Sequence, residues 1–221
     1  MRIMRIIVLA AGVLAESAQA GGRVNLCDSD VQQQTRFGDL NFANAVATGG
    51  IVTFECAPNS VLQITRKHRL TRPVEIIGNG VILDAKNTTV MFEAPASASP
   101  VVLRNLTLRN GSISSGGGLP GGLGIAGAFF GAVKLTLNRV NVETTTHAIA
   151  VKEIIVYGGH FSNNTGWVIS ALTAHISNRA IFSNNDGAPL LAPFFAQGNF
   201  ARIEDAELHG NAPITCRPAC S

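Results

Sequence analysis

Thirteen carboxylates and five histidines beyond position 20, together with four cysteines, are the residues of this chain best suited to chemistry. Acid–base catalysis on a polymer needs two carboxylates held close together with their pKa values pushed apart. The acids here are scattered. Residues 94–142 contain none, and the rest include Asp84, Glu93, Glu143, Glu153, Asp186, Glu204, Asp205 and Glu207. The densest group is Glu204-Asp205 followed by His209-Gly210, so Asp205 and His209 are the candidate catalytic pair. The same four residues also suit a solvated final turn. His147, His160 and His175 are spaced too irregularly to converge on a metal, and no metal or cofactor is predicted. Gly122 to Gly127 matches G-x-G-x-x-G, but no strand–helix unit surrounds it, so it does not indicate a dinucleotide site. The lone Trp167 is expected to pack, with sugar stacking as its second reading.

Cys27, Cys56, Cys216 and Cys220 form an even set with two members near each end. Three pairings are open to four cysteines. Cys27–Cys56 and Cys216–Cys220 are preferred because each would staple one end. Their wide separation and the lack of a C-x2-C knuckle argue against zinc. Disulfides imply export. Arg2 and Arg5, the apolar run Ile6 to Ala15 and Ala18-Gln19-Ala20 have the order of a leader peptide, so residues 1–20 read as a signal segment. The apolar run is too short to cross a bilayer, which needs roughly 20 residues. No membrane span is therefore predicted, and localisation is secreted or periplasmic. Past position 20, cations nearly balance acids, which gives no argument for nucleic acid. Arg66-Lys67-His68-Arg69 with Arg72 is the only basic cluster. It reads as a solvated strand or turn face, or as a patch for an anionic polymer.

The elements that must position these residues are short. Residues 21–38 are polar and glutamine-rich, and read as a loose wrap. Asp39 to Ala47 predicts a helix with Asp39 as its N-cap and Leu40, Ala43, Val46 and Ala47 on one face. Gly49-Gly50 ends it. From Ile51 onward the chain is a series of β-rich runs of four to six residues, punctuated by Gly, Asn, Asp and Pro. Leu108, Val142, Phe161, Phe182 and Leu208 occupy matching places in these runs, and "FSNN" occurs at 161–164 and again at 182–185. A recurrence near 20 residues indicates stacked coils, each burying its apolar face only against its neighbours. Leu108, Val142, Phe161 and Phe182 should then form one inward row. Asn110, Asn163 and Asn184 should occupy left-handed corners and stack their amides. A β-sandwich or closed barrel also uses short strands, and Asn79-Gly80 and Asn110-Gly111 are hairpin-type pairs. Strand direction separates the two folds. Residues 115–131, rich in glycine, read as an inserted loop.

Three segments carry a family resemblance: "ANAVATGGIVTFECAPNSVLQIT" (43–65), "RPVEIIGNGVILDA" (72–85) and "VVLRNLTLRNG" (101–111). Together they resemble the pectin-lyase-like right-handed parallel β-helix proteins exported by bacteria, over about residues 37–212. The resemblance implies an all-β solenoid with a short N-terminal capping helix. Its expected parts are a signal peptide 1–20, an N-terminal segment with capping helix 21–50, a parallel β-helix 51–212 and a tail 213–221. The superfamily mixes polysaccharide lyases and glycoside hydrolases with non-catalytic surface proteins, and fold alone does not choose among them. With no carboxylate cluster, the expectation is a non-catalytic, monomeric protein contacting polysaccharide or a cell-surface component. The alternative is a lyase or hydrolase.

Overall fold

The computed structural model describes residues 21–112, 127–186, 190–191 and 200–211. The expected leader 1–20, most of the glycine-rich stretch, and Cys216 and Cys220 lie outside the described residues. The protein is all-β, and its strands join into one curled sheet. Every strand pairing among the described residues is parallel, which excludes the antiparallel sandwich. Asn79-Gly80 and Asn110-Gly111 are corners, not hairpins, because the strands beside them pair in parallel with other repeats; Asn79 and Asn110 have φ of 52° and 58°.

Pairing follows three tracks. On the first, Val52, Ile76, Leu103, Leu137, Val156, Ile176 and Ile203 pair each with the next. On the second, the predicted row Leu108, Val142, Phe161 and Phe182 pairs in that order, continues to Leu208 and extends back through Leu83 to Leu62. On the third, His68, Phe92, Phe129, Ile149, Ile169 and Leu190 are matched. Alternate residues point inward because the strand period is two. The second-track row is therefore buried from Leu62 to Phe182. Leu208, with no described strand beyond it, is 45% exposed. The Phe161 and Phe182 rings stack at 4.7 Å and 9°.

Corners recur between the tracks, and their backbone explains the asparagines. After the second track, Asn110, Thr144, Asn163, Asn184 and Gly210 all adopt positive φ. The next residue turns inward in each repeat, and it, not the corner Asn, makes the amide ladder. Asn164 and Asn185 are buried, whereas Asn163 and Asn184 are exposed. Asn185 Nδ2 donates to Phe161 O at 2.9 Å and to Asn211 Oδ1 at 2.7 Å. Its Oδ1 accepts from Asn164 N at 3.0 Å and Asn164 Nδ2 at 2.9 Å. The expected stacking of Asn110, Asn163 and Asn184 is thus displaced by one position. A left-handed residue points its side chain away from the turn it makes, so it supplies backbone geometry rather than the inward bond.

Three expectations near the N-terminus are corrected. The helix is Phe42–Ala47, not Asp39 to Ala47. Asn41 caps it, its Oδ1 accepting from Asn44 N at 2.9 Å. Asp39 instead closes the preceding turn, accepting from Thr35 N and Arg36 N at 2.9 and 2.8 Å. The buried helix residues are Phe42, Ala43, Ala45 and Val46, while Ala47 is exposed. Phe42 caps the core, its ring 5.6 Å from Phe54, 5.2 Å from His68 and 6.1 Å from Phe92. Finally, the segment read as a loose wrap contributes a strand, Gly21–Val24, paired in parallel with Ile51 to Phe54. Only Val24 in that strand is a buried apolar residue, too little to register as a sequence pattern.

Candidate functional site

Asp205 falls in a corner column. Asn105, Arg139, Gly158, Asn178 and Asp205 each follow the first-track strand of their repeat, and all have positive φ. Asp tolerates that conformation better than most residues, so Asp205 is accounted for by the turn it makes. His209 lies at the far end of the strand Glu207–His209, and its Nε2 is 3.4 Å from Glu207 Oε2. Both Asp205 and His209 are exposed. The predicted catalytic pair is therefore split between the corner before the strand and the strand's last residue, and the contact of His209 is to Glu207. Neighbouring acids carry their own cations: Glu207 pairs with Arg179 at 3.1 Å and Glu204 with Arg202. The hydrogen bond from His175, stronger than the opposing burial and helped by Arg202, lowers the pKa of Glu204. Arg179 and then His209 do the same for Glu207.

His147, His160 and His175 sit at different places in their coils. His147 has φ 47° at a corner, its ring 4.9 Å from Trp167, and burial lowers its pKa. His160 Nε2 bonds Ser183 Oγ at 2.6 Å, and His175 lies on the first track, 6.5 Å from the Tyr157 ring. Trp167 packs against Val90, Phe130 and Ala150 in a small satellite core. The part of the glycine-rich stretch that is described, 127–131, is not a protruding loop. Phe129 and Phe130 start the strand Phe129–Glu143 and are buried. The Gly-Ala pairs on either side of them hid them within the glycine-rich composition.

Two buried carboxylates carry the strongest electrostatics, and neither was singled out by sequence. Asp84 is fully buried at the end of the strand Val74–Asp84. Burial disfavours its charge, but Asn110 Nδ2, Lys86 N and the Arg109 guanidinium bring its pKa down to about 2. All its acceptor capacity is directed at local donors, so it binds two neighbouring repeats together.

Asp30 and His68 form the other site. Asp30 is 0% and His68 5% exposed, with Oδ2 and Nε2 2.8 Å apart. Asp30 Oδ1 also accepts from Thr65 Oγ1 at 2.7 Å and Thr65 N at 3.2 Å. Burial opposes ionisation, but the bonds from His68 and Thr65 outweigh it, and the Asp30 pKa lies below the ordinary value. An ionised carboxylate only accepts, so His68 carries a proton on Nε2. This corrects the reading of the basic run as a wholly solvated face: His68 points into the core while Arg66, Lys67 and Arg69 stay exposed. Alternation along the strand His68–Arg69 turns His68 inward and Arg69 outward, while Arg66 and Lys67 lie in the turn before it. The three cations and His68 line a hollow whose other wall is Ala43, Val46 and Ala47 of the helix. Glu93, on the adjacent strand, pairs with Lys67 and lies 3.9 Å from Arg69. Among the described residues no three metal-ligating side chains converge.

Cys27 and Cys56 are bonded, with Cα atoms 5.7 Å apart, joining the N-terminal segment to the turn after Gly50–Phe54. No helix among the described residues is long and apolar enough to cross a membrane. Comparison with protein-family models, curated proteins and solved structures found no match in any of the three.

Proposed function

We propose that this chain is an exported, non-catalytic protein, built as a right-handed parallel β-helix of the pectin-lyase-like kind, that uses its rigid outer surface to contact glycans or another cell-surface component. The observation that carries this reading is the state of the carboxylates. Wherever the surroundings move a carboxylate pKa they lower it, at Asp30, Asp39, Asp84, Glu204 and Glu207. Others are matched across strands to a cation, as Glu75 is to Arg104 and Glu153 to Lys134. A glycosidase acid must hold its proton near neutral pH, which requires a raised pKa. Carboxylates held below their ordinary pKa, several of them paired with a cation, are poor proton donors.

The test is incubation of the purified protein with pectate, polygalacturonate and alginate, with binding and turnover read on the same samples. Retention on one or more glycans without new reducing ends or unsaturated uronates is expected. Sustained turnover that disappears in Asp205→Asn or His209→Ala would instead establish the lyase or hydrolase reading.

A further inference from the structure

Beyond the glycan contact proposed above, and resting on it, we infer that the hollow between the helix Phe42–Ala47 and residues 66–69 is an anion site that binds a sulfate, phosphate or carboxylate group borne by the glycan. Three observations converge there. The hollow is concave, with an apolar wall of Ala43, Val46 and Ala47 and an opposite wall of Arg66, Lys67, His68 and Arg69. No lining residue is acidic; the counter-charges beside the lining are Asp30, buried against His68, and Glu93, one carboxylate shared between Lys67 and Arg69. Arg66 has no ion pair among the described residues.

The buried pair beneath gives the site its rigidity. Asp30 holds His68 from the core side, and Phe42 and Phe92 pack on the ring. The segment that carries the flanking cations is therefore anchored at His68, where the short strand His68–Arg69 begins. Asp30 also balances any charge on His68, so attraction in the hollow comes from Arg66, Lys67 and Arg69. An arginine fork suits a flat or tetrahedral oxyanion by two parallel hydrogen bonds. The apolar wall suits the face of a sugar ring carrying that anion. Elsewhere on the surface the cations Arg23, Arg104, Lys134 and Arg179 each meet a carboxylate of their own. The excess of cation over acid in the hollow is a local feature, and the net charge of the chain does not produce it.

The experiment uses the full protein without its leader and four probes in titration calorimetry: inorganic sulfate, a sulfated oligosaccharide, a polygalacturonate oligomer and neutral dextran. The doubly reversed variant R66E/R69E is compared with Lys152→Glu, a reversal on the strand Ile149–Tyr157 away from the hollow. Thermal melts confirm that each variant folds. Binding of at least one anionic saccharide is expected, falling about tenfold or more in R66E/R69E and less than about twofold in Lys152→Glu. Inorganic sulfate competing with the saccharide would place the recognised group in the anion itself. Sulfate binding alone, without any saccharide, would support the anion site and overturn the glycan reading. Dextran binding that survives R66E/R69E would overturn the anion site and leave glycan contact standing. Equal losses in R66E/R69E and Lys152→Glu, or no binding of any probe, would also overturn the site.

Discussion

Replacing Asn185 with alanine tests the internal architecture most sharply, because the sequence repeat alone would direct attention to Asn184. In Asn185→Ala the Phe161 carbonyl and the Asn164 N–H lose their bonds, at 2.9 and 3.0 Å in the intact protein. The Asn164 and Asn211 side chains each lose one partner as well. Each buried backbone group left unsatisfied costs about 1–3 kcal/mol, so the substitution should cost about 3–5 kcal/mol. Asn184 is exposed and at φ 52°. Its backbone N–H bond to His209 O, at 2.9 Å, survives truncation. Asn184→Ala should therefore lose only the left-handed tolerance of asparagine, about 1 kcal/mol. Equilibrium urea unfolding measures both, and a common m-value shows that the unfolding transition is the same. Equal losses, or a larger loss at Asn184, would show that the ladder does not run through Asn164, Asn185 and Asn211.

Phe161→Ala should cost about 3–5 kcal/mol as a large truncation in a packed row, and Leu208→Ala clearly less because that side chain is 45% exposed; urea midpoints decide. Replacing Cys27 and Cys56 together by serine should cost roughly 3–4 kcal/mol, with faster amide exchange concentrated in residues 21–30, since the bond closes a 29-residue separation. For Asp84 the folded pKa of about 2 lies below the ordinary 3.8. Its stabilisation, about 2 kcal/mol, is complete above roughly pH 5, is about half gone at pH 3 and vanishes as pH falls below 2. Comparing urea midpoints at pH 6 and 3 in the wild type and Asp84→Asn tests this. A wild-type acid loss fully retained by the variant would contradict the assignment.

Much of the fold was legible because strand period and repeat length are one-dimensional quantities. Alternation marks which residues face inward, and a recurrence near 20 residues marks which of them meet. Those two facts were enough to order Leu108, Val142, Phe161, Phe182 and Leu208 before any coordinates. Other features depended on angles and on distant partners. Two adjacent asparagines are equivalent in a sequence, and only the backbone turn decides which makes the corner and which enters the core. Asp39 and Asn41 both suit a helix cap, but the buried place of Phe42 selects Asn41. Asp205 and His209 resemble catalytic residues in a string of letters, whereas the corner at Asp205 and the exposed strand beyond it separate their roles.

The clearest limit is Asp30 and His68. Thirty-eight positions separate them, one in a polar segment and the other inside a basic run, and no periodicity links the two. A long-range ion pair depends on where the chain returns, which is set by the curvature of the whole sheet. By sequence alone the protein was determined to be β-rich, repetitive and poor in clustered acids, because local propensity and spacing carry those properties. The buried pair, the amide ladder and the cationic hollow were decided only by tertiary structure, because each is made where segments remote in the chain pack together and exclude water.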